Sequence, residues 1–502
     1  MRIGRNDPCP CGSGLKNKFC CRNKPKKEHL EKELKKEHFF SKFDRVELLK
    51  TLSALSVLPE NHGKNLRIEQ AIIEALLHSG AQTTIPNKAE LNFYLDKNYE
   101  YHQDEDICIN PLTDLVTFIG GDYITFPGVT DNGQEILNNQ LGGIFHYPDT
   151  NIPEWFKYNT VQLSNFILGI SNLVAKRLGY DRYLNGSNNK NELFVPEDIK
   201  LDEIKKSVFI SNEDMESFLK EKNIQAEVME YFIVVPEKEI DEFSLDPYKN
   251  VILYKPILKV EEGYIVLSPS TMCLALSASI WNMAKEGECM KEVNDAYHSF
   301  AWNNINLGLR KLGFDYIEIP EIVFKAGSKA GFYLFDDNKI ALVRYLGDNG
   351  KNYGENEIGY GGGATLEGEN KPEKIIKELK AHPLYKEYKI FSITIISGIG
   401  SETGYAIMKD GADRILALPI EEFNTLTLVS EMDALDLWKF AILKDEFFKD
   451  NPFAFSTSAL DQMKFYKENS DSFYRTDDSA TVIPILASGY ARDWYLLARK
   501  RR

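Results

Sequence analysis

The sequence predicts a multidomain α/β (α+β) protein with a small cysteine-rich unit, a helical segment, a mixed α/β middle region and a C-terminal α/β unit. Three observations predict this class. The chain has 502 residues, which is too long for one ordinary domain. Apolar residues make up 43% of it, enough for sizeable hydrophobic cores, so a globally disordered chain is excluded. Helix-like and strand-like segments alternate along the C-terminal half.

Four units follow one another along the chain. Their predicted limits are 1–24 for the cysteine-rich unit, 25–89 for the helical region, 90–245 for the mixed α/β domain and 246–502 for the C-terminal α/β domain. In the helical region, leucines between 46 and 77 recur with helical spacing. In the mixed domain, Leu115–Ile119 and Tyr123–Phe126 flank Gly120-Gly121, which is typical of two strands joined by a turn. Val161–Leu178 is predicted to be a helix.

The C-terminal unit contains a predicted succession of one helix, three strands, a helix and a further strand between residues 288 and 396. These elements are Glu288–Leu312, Ile317–Phe324, Phe332–Phe335, Ile340–Leu346, Glu373–Leu379 and Lys389–Ile396. Before them, the apolar runs Tyr231–Val235, Val251–Tyr254 and Tyr264–Leu267 predict three strands.

Charge is unevenly distributed along the chain. The net charge is −15, yet residues 1–27 hold eight basic side chains and one acid, a net +7, so the rest carries −22. A basic N-terminal arm on an acidic body predicts that any contact with nucleic acid is made by the arm. The N-terminus lacks the apolar segment of a signal peptide, and the long uncharged run 263–284 is interrupted by Pro269. We therefore expect a cytoplasmic protein with no membrane span.

Four of the seven cysteines lie close together near the N-terminus. Cys9, Cys11, Cys20 and Cys21 can be brought around one ion by the short loop between them. Zn²⁺ favours four tetrahedral soft ligands, and a closed set of four thiolates predicts a structural rather than a catalytic site. Gly12-Ser-Gly14 supplies a tight turn directly after the second cysteine.

This segment, GRNDPCPCGSGLKNKFCC from Gly4 to Cys21, resembles the SEC-C motif. That zinc knuckle is best known at the C-terminus of the SecA translocation motor and is also found on many unrelated bacterial proteins. The resemblance covers residues 4–22 and implies that the four cysteines bind structural Zn²⁺. In SecA the knuckle contributes to contacts with a chaperone and the ribosome, so the resemblance implies a protein partner. Whether the knuckle binds a partner or only folds itself stays open.

The rest of the chain does not resemble the motor, because it has no G-x-x-x-x-G-K-[ST] phosphate loop. The order of elements between 288 and 396 resembles instead a degenerate restriction-endonuclease-like fold. Active members hold Mg²⁺ with an acid on one strand and an E-x-K set on the next, whose lysine assists the attacking water. Here Val343 and Tyr345 stand at the E-x-K positions, so an active site would have to have migrated. The candidates for such a site are Glu292, Glu321, Asp336 and Asp337.

Two functions stay open at this point. The first is a zinc-binding bacterial adaptor or effector, without catalytic residues, that recognises a protein or nucleoprotein partner through the knuckle and the basic arm. Some proteins with this knuckle are associated with anti-phage defence, which the resemblance extends to this chain as an expectation. The second is a Mg²⁺-dependent nuclease with a migrated active site. Three carboxylates and a lysine in one cleft would favour the enzyme, and carboxylates that point apart would favour the adaptor.

Overall fold

The computed structural model describes fourteen stretches of the chain and three single residues. They are 39–80, 86–91, 111–128, 133–147, 151–186, 193–196, 198–236, 251–322, 329–347, 372–396, 411–429, 431–450, 459–469 and 491–501, with residues 84, 95 and 324. The predicted unit 1–24, with Cys9, Cys11, Cys20 and Cys21, lies outside the described residues, as does the basic arm.

Helices and strands alternate throughout the described stretches, which confirms the multidomain α/β class. The α-helices are α1 (Arg45–Ser56), α2 (Asn65–His78), α3 (Gly133–His146), α4 (Glu154–Arg177), α5 (Asp198–Val208), α6 (Asn212–Glu221), α7 (Met272–Glu286), α8 (Met290–Lys311), α9 (Pro372–Ala381), α10 (Ile420–Val429), α11 (Ala434–Asp450), α12 (Ala459–Asn469) and α13 (Arg492–Arg501). The strands are β1 (Asp114–Phe118), β2 (Gly121–Thr125), β3 (Phe209–Ser211), β4 (Ile233–Val234), β5 (Ile257–Val260), β6 (Gly263–Val266), β7 (Asp315–Ile317), β8 (Ala330–Asp336), β9 (Lys339–Leu346), β10 (Lys389–Ile396) and β11 (Arg414–Pro419).

A four-stranded sheet in the order β3-β6-β5-β4 forms part of the larger hydrophobic core. Its strands come from both sides of residue 246, so segments before and after that position pack together. The prediction of a strand at Val251–Tyr254 is wrong: Val251–Leu253 form a 3-10 turn, in which Tyr254 N donates to Val251 O at 3.0 Å. Short apolar runs that are buried on every side do not distinguish a strand from a helical turn.

The second sheet has five strands in the order β7-β8-β9-β10-β11. β8 is antiparallel to both neighbours, and β9, β10 and β11 are mutually parallel. The predicted order of one helix, three strands, a helix and a strand is present as α8, β7, β8, β9, α9 and β10. The predicted limits of the first of these strands, Ile317–Phe324, are wrong: β7 is Asp315–Ile317 and shares only Ile317 with them. Pro320 lacks the N–H that a ladder requires, which disfavours a strand through this segment.

α8 joins the two largest hydrophobic cores of the described residues. Its first half buries Val293 and Ala296 in the larger core, and its second half buries Ile305 and Leu309 against the five-stranded sheet. α3 packs closely on its first half, since a Cβ at Gly143 would lie 2.7 Å from the backbone carbonyl carbon of Ala296. The change from one core to the other therefore falls within α8. The domain limits given above stay predictions.

Among the described helices, none combines the length and the apolar character that a membrane crossing requires.

Candidate functional site

The carboxyl edge of the five-stranded sheet is the place where the fold favours a binding or catalytic site. In open α/β sheets, ligands bind outside the carboxyl ends of the parallel strands. Here the carboxyl end of β9 meets the start of β8, because Tyr345 N donates to Lys329 O at 2.8 Å. The middle of α8 covers the same edge, and it brings His298 and Ser299 to these residues.

Lys329 connects the start of β8 to α8. Its Nζ donates a hydrogen bond of 2.8 Å to Ser299 Oγ. Burial lowers the pKa of the Lys329 ammonium, and the nearby Asp295 carboxylate opposes that shift. A lysine beside a serine hydroxyl is one known way to activate a nucleophile. The amine donates to the hydroxyl in this pair, so the contact holds Ser299 in place between α8 and the start of β8.

His298 lies next to this pair and contacts the end of β9. Its Nδ1 is 3.3 Å from Tyr345 OH, and the two rings lie 5.7 Å apart at an angle of 60°. The imidazole also lies so close to Gly347 that a Cβ there would be 2.2 Å from its Cε1. Since Tyr345 OH and Gly347 pack against the ring, we interpret His298 as a packed structural histidine.

The opposite face of the sheet carries a second polar group at the same level. Arg344 Nη2 donates to Thr394 Oγ1 at 2.8 Å and to Ser392 Oγ at 3.3 Å, both on β10. The guanidinium therefore joins two parallel strands. An arginine used in this way stabilises the sheet, and it occupies the x position between Val343 and Tyr345.

The two aspartates predicted for a migrated active site lie far from this edge. Asp336 is the last residue of β8 and Asp337 begins the turn to β9, six residues of strand or about 20 Å from Ala330. Asp336 is ion-paired with Lys339, and this hydrogen bond lowers the pKa of the carboxyl group. Both side chains are exposed. They are typical of a solvated hairpin turn.

The two glutamates are placed differently again. Glu321 is exposed on the α9 side of the sheet, and its Oε2 lies 3.4 Å from His382 Nε2. Glu292 is in the first turn of α8, beside Cys289, where burial and then the Glu292 charge raise the pKa of the thiol. That turn packs in the larger core, away from the sheet.

Within the described stretches of the chain, no three histidine, cysteine, aspartate or glutamate side chains form a group that could hold a metal ion. Glu292, Glu321, Asp336 and Asp337 are all described, so the structure does not assemble them into such a site. The cluster of Ser299, Lys329 and Tyr345 was not predicted from the sequence. The register of the β8–β9 hairpin would have placed Lys329 beside the end of β9, but nothing local indicates that Ser299 faces it.

Comparison with known proteins relates only a small segment of the chain to a characterised protein. Over 20 residues, 4% of this chain, it is 80% identical to the protein translocase subunit SecA of Symbiobacterium thermophilum. The match spans 2% of that protein's length. It supports a SEC-C-like segment in this chain. No family model and no solved structure matches.

Proposed function

We propose that this chain is a zinc-binding adaptor or effector that recognises a protein or nucleoprotein partner. The observation that carries the proposal is the match to the translocase subunit, 80% identical over 20 residues, because it points to a recognition module rather than to a motor or a catalytic domain. The module is joined to a large acidic body through a basic arm. A small module tethered in this way is suited to contact one partner while the body contacts another surface.

The donor set of the N-terminal segment fits zinc. Cys9, Cys11, Cys20 and Cys21 supply four soft thiolate ligands, the number that closes a tetrahedral Zn²⁺ site. The neighbouring Arg5, Lys16, Lys18 and Arg22 offset the negative charge of four thiolates. When bound, zinc would supply the folding energy that so small a segment cannot obtain from a hydrophobic core.

The geometry of the sheet edge supports binding rather than catalysis for the body. The polar groups at that edge are used in contacts that hold α8 to β8 and β9. The four candidate carboxylates do not come together as a metal site among the described residues. The described residues of the body thus have the element order of a nuclease-like core without an assembled acidic centre, which favours the adaptor over the nuclease.

Metal content tests the knuckle directly. We expect about one zinc per chain in the purified full-length protein and none in Cys20→Ser/Cys21→Ser, measured by elemental mass spectrometry. The control is Cys273→Ala, which removes a buried thiol of α7 and leaves the four knuckle cysteines intact. A protein purified without chelator that contains no zinc would contradict the proposal.

Partner capture tests the adaptor role. Full-length parent, Cys20→Ser/Cys21→Ser and Cys273→Ala would each be used as bait in a bacterial extract. A protein or ribonucleoprotein retained by the parent and by Cys273→Ala, and lost with the knuckle variant, supports recognition through the knuckle. Cleavage of DNA or RNA with Mg²⁺ that disappears in Glu321→Ala/Asp337→Ala would overturn the adaptor and establish the nuclease.

A role in anti-phage defence stays a prediction that rests on the resemblance to the SEC-C motif. It predicts fewer phage plaques on cells that express the parent than on cells that express Cys20→Ser/Cys21→Ser. Equal plaque numbers at equal protein levels would contradict it.

A further inference from the structure

Three large aromatic side chains are exposed on one part of the body. Trp155 is 45% exposed, Tyr158 50% and Tyr231 38%. They belong to the start of α4 and to the 3-10 turn Ala226–Tyr231, and the end of α7 lies between them. We call this region the aromatic surface. Aromatic rings are enriched in protein interfaces, where they supply much of the binding energy.

Direct contacts hold the three segments together. The Trp155 ring lies on Gly287, where a Cβ would be 2.2 Å from the ring carbon Cη2. Gln162 lies one helical turn after Tyr158 and binds the segment that precedes the 3-10 turn. Its Nε2 donates to Asn223 O at 3.3 Å, and its Oε1 accepts from Gln225 N at 3.1 Å. The rings are therefore held on one surface by ordered structure.

Exposed acids lie on the same three segments as the rings. They are Glu154, Glu227, Glu230, Glu286 and Glu288. Tyr231 lies close to one of them: burial first, and then the Glu286 charge, raise the pKa of its hydroxyl. The same segments contain two lysines, of which Lys157 is ion-paired with Glu154 at 3.0 Å. Residues 154–158, 226–231 and 285–288 together carry a net charge of −3.

We propose that the aromatic surface binds an arginine- or lysine-rich segment of a partner protein. Cationic side chains are attracted to the faces of tyrosine and tryptophan rings and to the carboxylates around them. The acidic surroundings repel nucleic acid and acidic protein surfaces, which selects a basic protein segment as the occupant. This inference rests on the adaptor proposal and deepens it, since it names the chemistry of the partner that the body recognises.

The test measures how the full-length protein binds a fluorescein-labelled peptide of alternating arginine and glycine, by fluorescence anisotropy. A peptide with citrulline in place of arginine is the neutral probe, and we expect it not to bind. Tyr158→Leu/Tyr231→Leu keeps apolar bulk and removes two ring faces, so the Kd should rise at least about fivefold. Tyr158→Phe/Tyr231→Phe keeps the faces and should leave the Kd within about twofold.

Two double variants with the same change in net charge distinguish binding at the aromatic surface from a general attraction of the peptide to an acidic protein. Glu230→Lys/Glu286→Lys should raise the Kd at least about tenfold. Glu216→Lys/Glu387→Lys changes two exposed glutamates elsewhere by the same net charge and should leave the Kd within about threefold. Equal weakening by both pairs, or an unchanged Kd in the leucine variant, would overturn the proposal.

The chain's own basic arm is the competing occupant. Lys24→Gln/Lys26→Gln/Lys27→Gln in the full-length protein should leave peptide binding unchanged. Binding tightened more than about tenfold would show that the arm already covers the surface, and would overturn the assignment to a partner. Zinc content and knuckle-dependent capture are measured separately with Cys20→Ser/Cys21→Ser. If the peptide does not bind while knuckle-dependent capture remains, only the inference about the aromatic surface is contradicted. If capture does not depend on the knuckle while the peptide binds, only recognition through the knuckle is contradicted.

Discussion

Glu69 and Ser268 are 199 positions apart in the chain, yet Ser268 Oγ donates a hydrogen bond of 2.8 Å to Glu69 Oε1 in the protein interior. Ser270 Oγ donates to the same oxygen at 2.8 Å. Glu69 is on α2, and the two serines lie in the turn from β6 to α7. The contact thus joins two segments that the sequence predicts in different units. It makes the helical region and the start of the C-terminal unit parts of one core.

Removing both hydroxyls should destabilise the protein, because a buried carboxyl group loses two of its donors. For Ser268→Ala/Ser270→Ala we expect the free energy of unfolding to fall by about 3 kcal/mol, measured by urea unfolding. Ser53→Ala is the matched control, since its buried Oγ has no hydrogen-bond partner in the described part of the chain. A loss no greater than that of the control would show that the contact contributes little.

Ile119 has a backbone conformation that disfavours its own side chain. It occupies the first position of the two-residue turn between β1 and β2 with φ +44°, followed by Gly120 at φ +74°. Positive φ at both positions is the conformation that Asn-Gly favours in hairpins, and a β-branched residue is strained there. The side chain is 61% exposed, so it contributes little packing in return.

Replacing this residue by asparagine should therefore stabilise the hairpin. We expect Ile119→Asn to raise the free energy of unfolding by about 1 kcal/mol. Ile119→Val keeps the branched Cβ and should give no gain. The comparison requires only the unfolding midpoints of parent and variants, and a midpoint for Ile119→Asn at or below that of the parent would contradict the strain argument.

The sequence predicted the buried parts of the second sheet well. Lys389–Ile396 is predicted and observed with the same limits, because it is covered on both faces and is therefore a mainly apolar run, bounded by Lys389 and by Ser397-Gly398. The first hairpin was predicted from Gly120-Gly121, but the turn residues are Ile119 and Gly120. Glycine marks where a turn is allowed, whereas the strand register decides which two residues form it.

The candidate site and the proposed binding surface were much less accessible to sequence reasoning. Lys329 and Ser299 are brought together only by the packing of α8 on the start of β8. The aromatic surface combines side chains from α4, the turn Ala226–Tyr231 and the end of α7, none of which carries a recognisable motif. Such sites depend on contacts between distant segments, which periodicity and spacing do not encode.

Magnesium should not stabilise the body, because the described residues do not form a three-ligand site for it. A cation that binds only the folded state stabilises it by RT ln(1 + L/Kd), where L is the cation concentration, and so raises the unfolding temperature. We expect the same unfolding temperature with and without millimolar Mg²⁺, for the parent and for Asp336→Asn/Asp337→Asn. A Mg²⁺-dependent rise in the parent that the variant loses would place a cation at the β8–β9 turn and revive the nuclease hypothesis.

Glu422 makes the stability of the second core depend on pH. It lies in the interior on α10, and its Oε2 accepts a hydrogen bond of 3.1 Å from Leu460 N at the start of α12. Burial raises the pKa of this carboxyl group to about 8, and the nearby Asp461 and Glu421 charges add to the rise. The folded state therefore binds the proton more tightly than the unfolded chain, whose pKa is near 4.5.

The sign of the effect follows from this difference in proton affinity. The contribution of Glu422 to stability is fully present below the unfolded pKa and is lost as the pH rises through about 8. Glu422→Gln keeps the acceptor oxygen and cannot ionise. Near pH 4 we expect the variant to match the parent, and near pH 8 to exceed it by about 4 kcal/mol in free energy of unfolding. Glu431→Gln, which changes an exposed glutamate, should keep the slope of the parent. Parallel pH profiles for Glu422→Gln and the parent would mean that Glu422 does not titrate on unfolding.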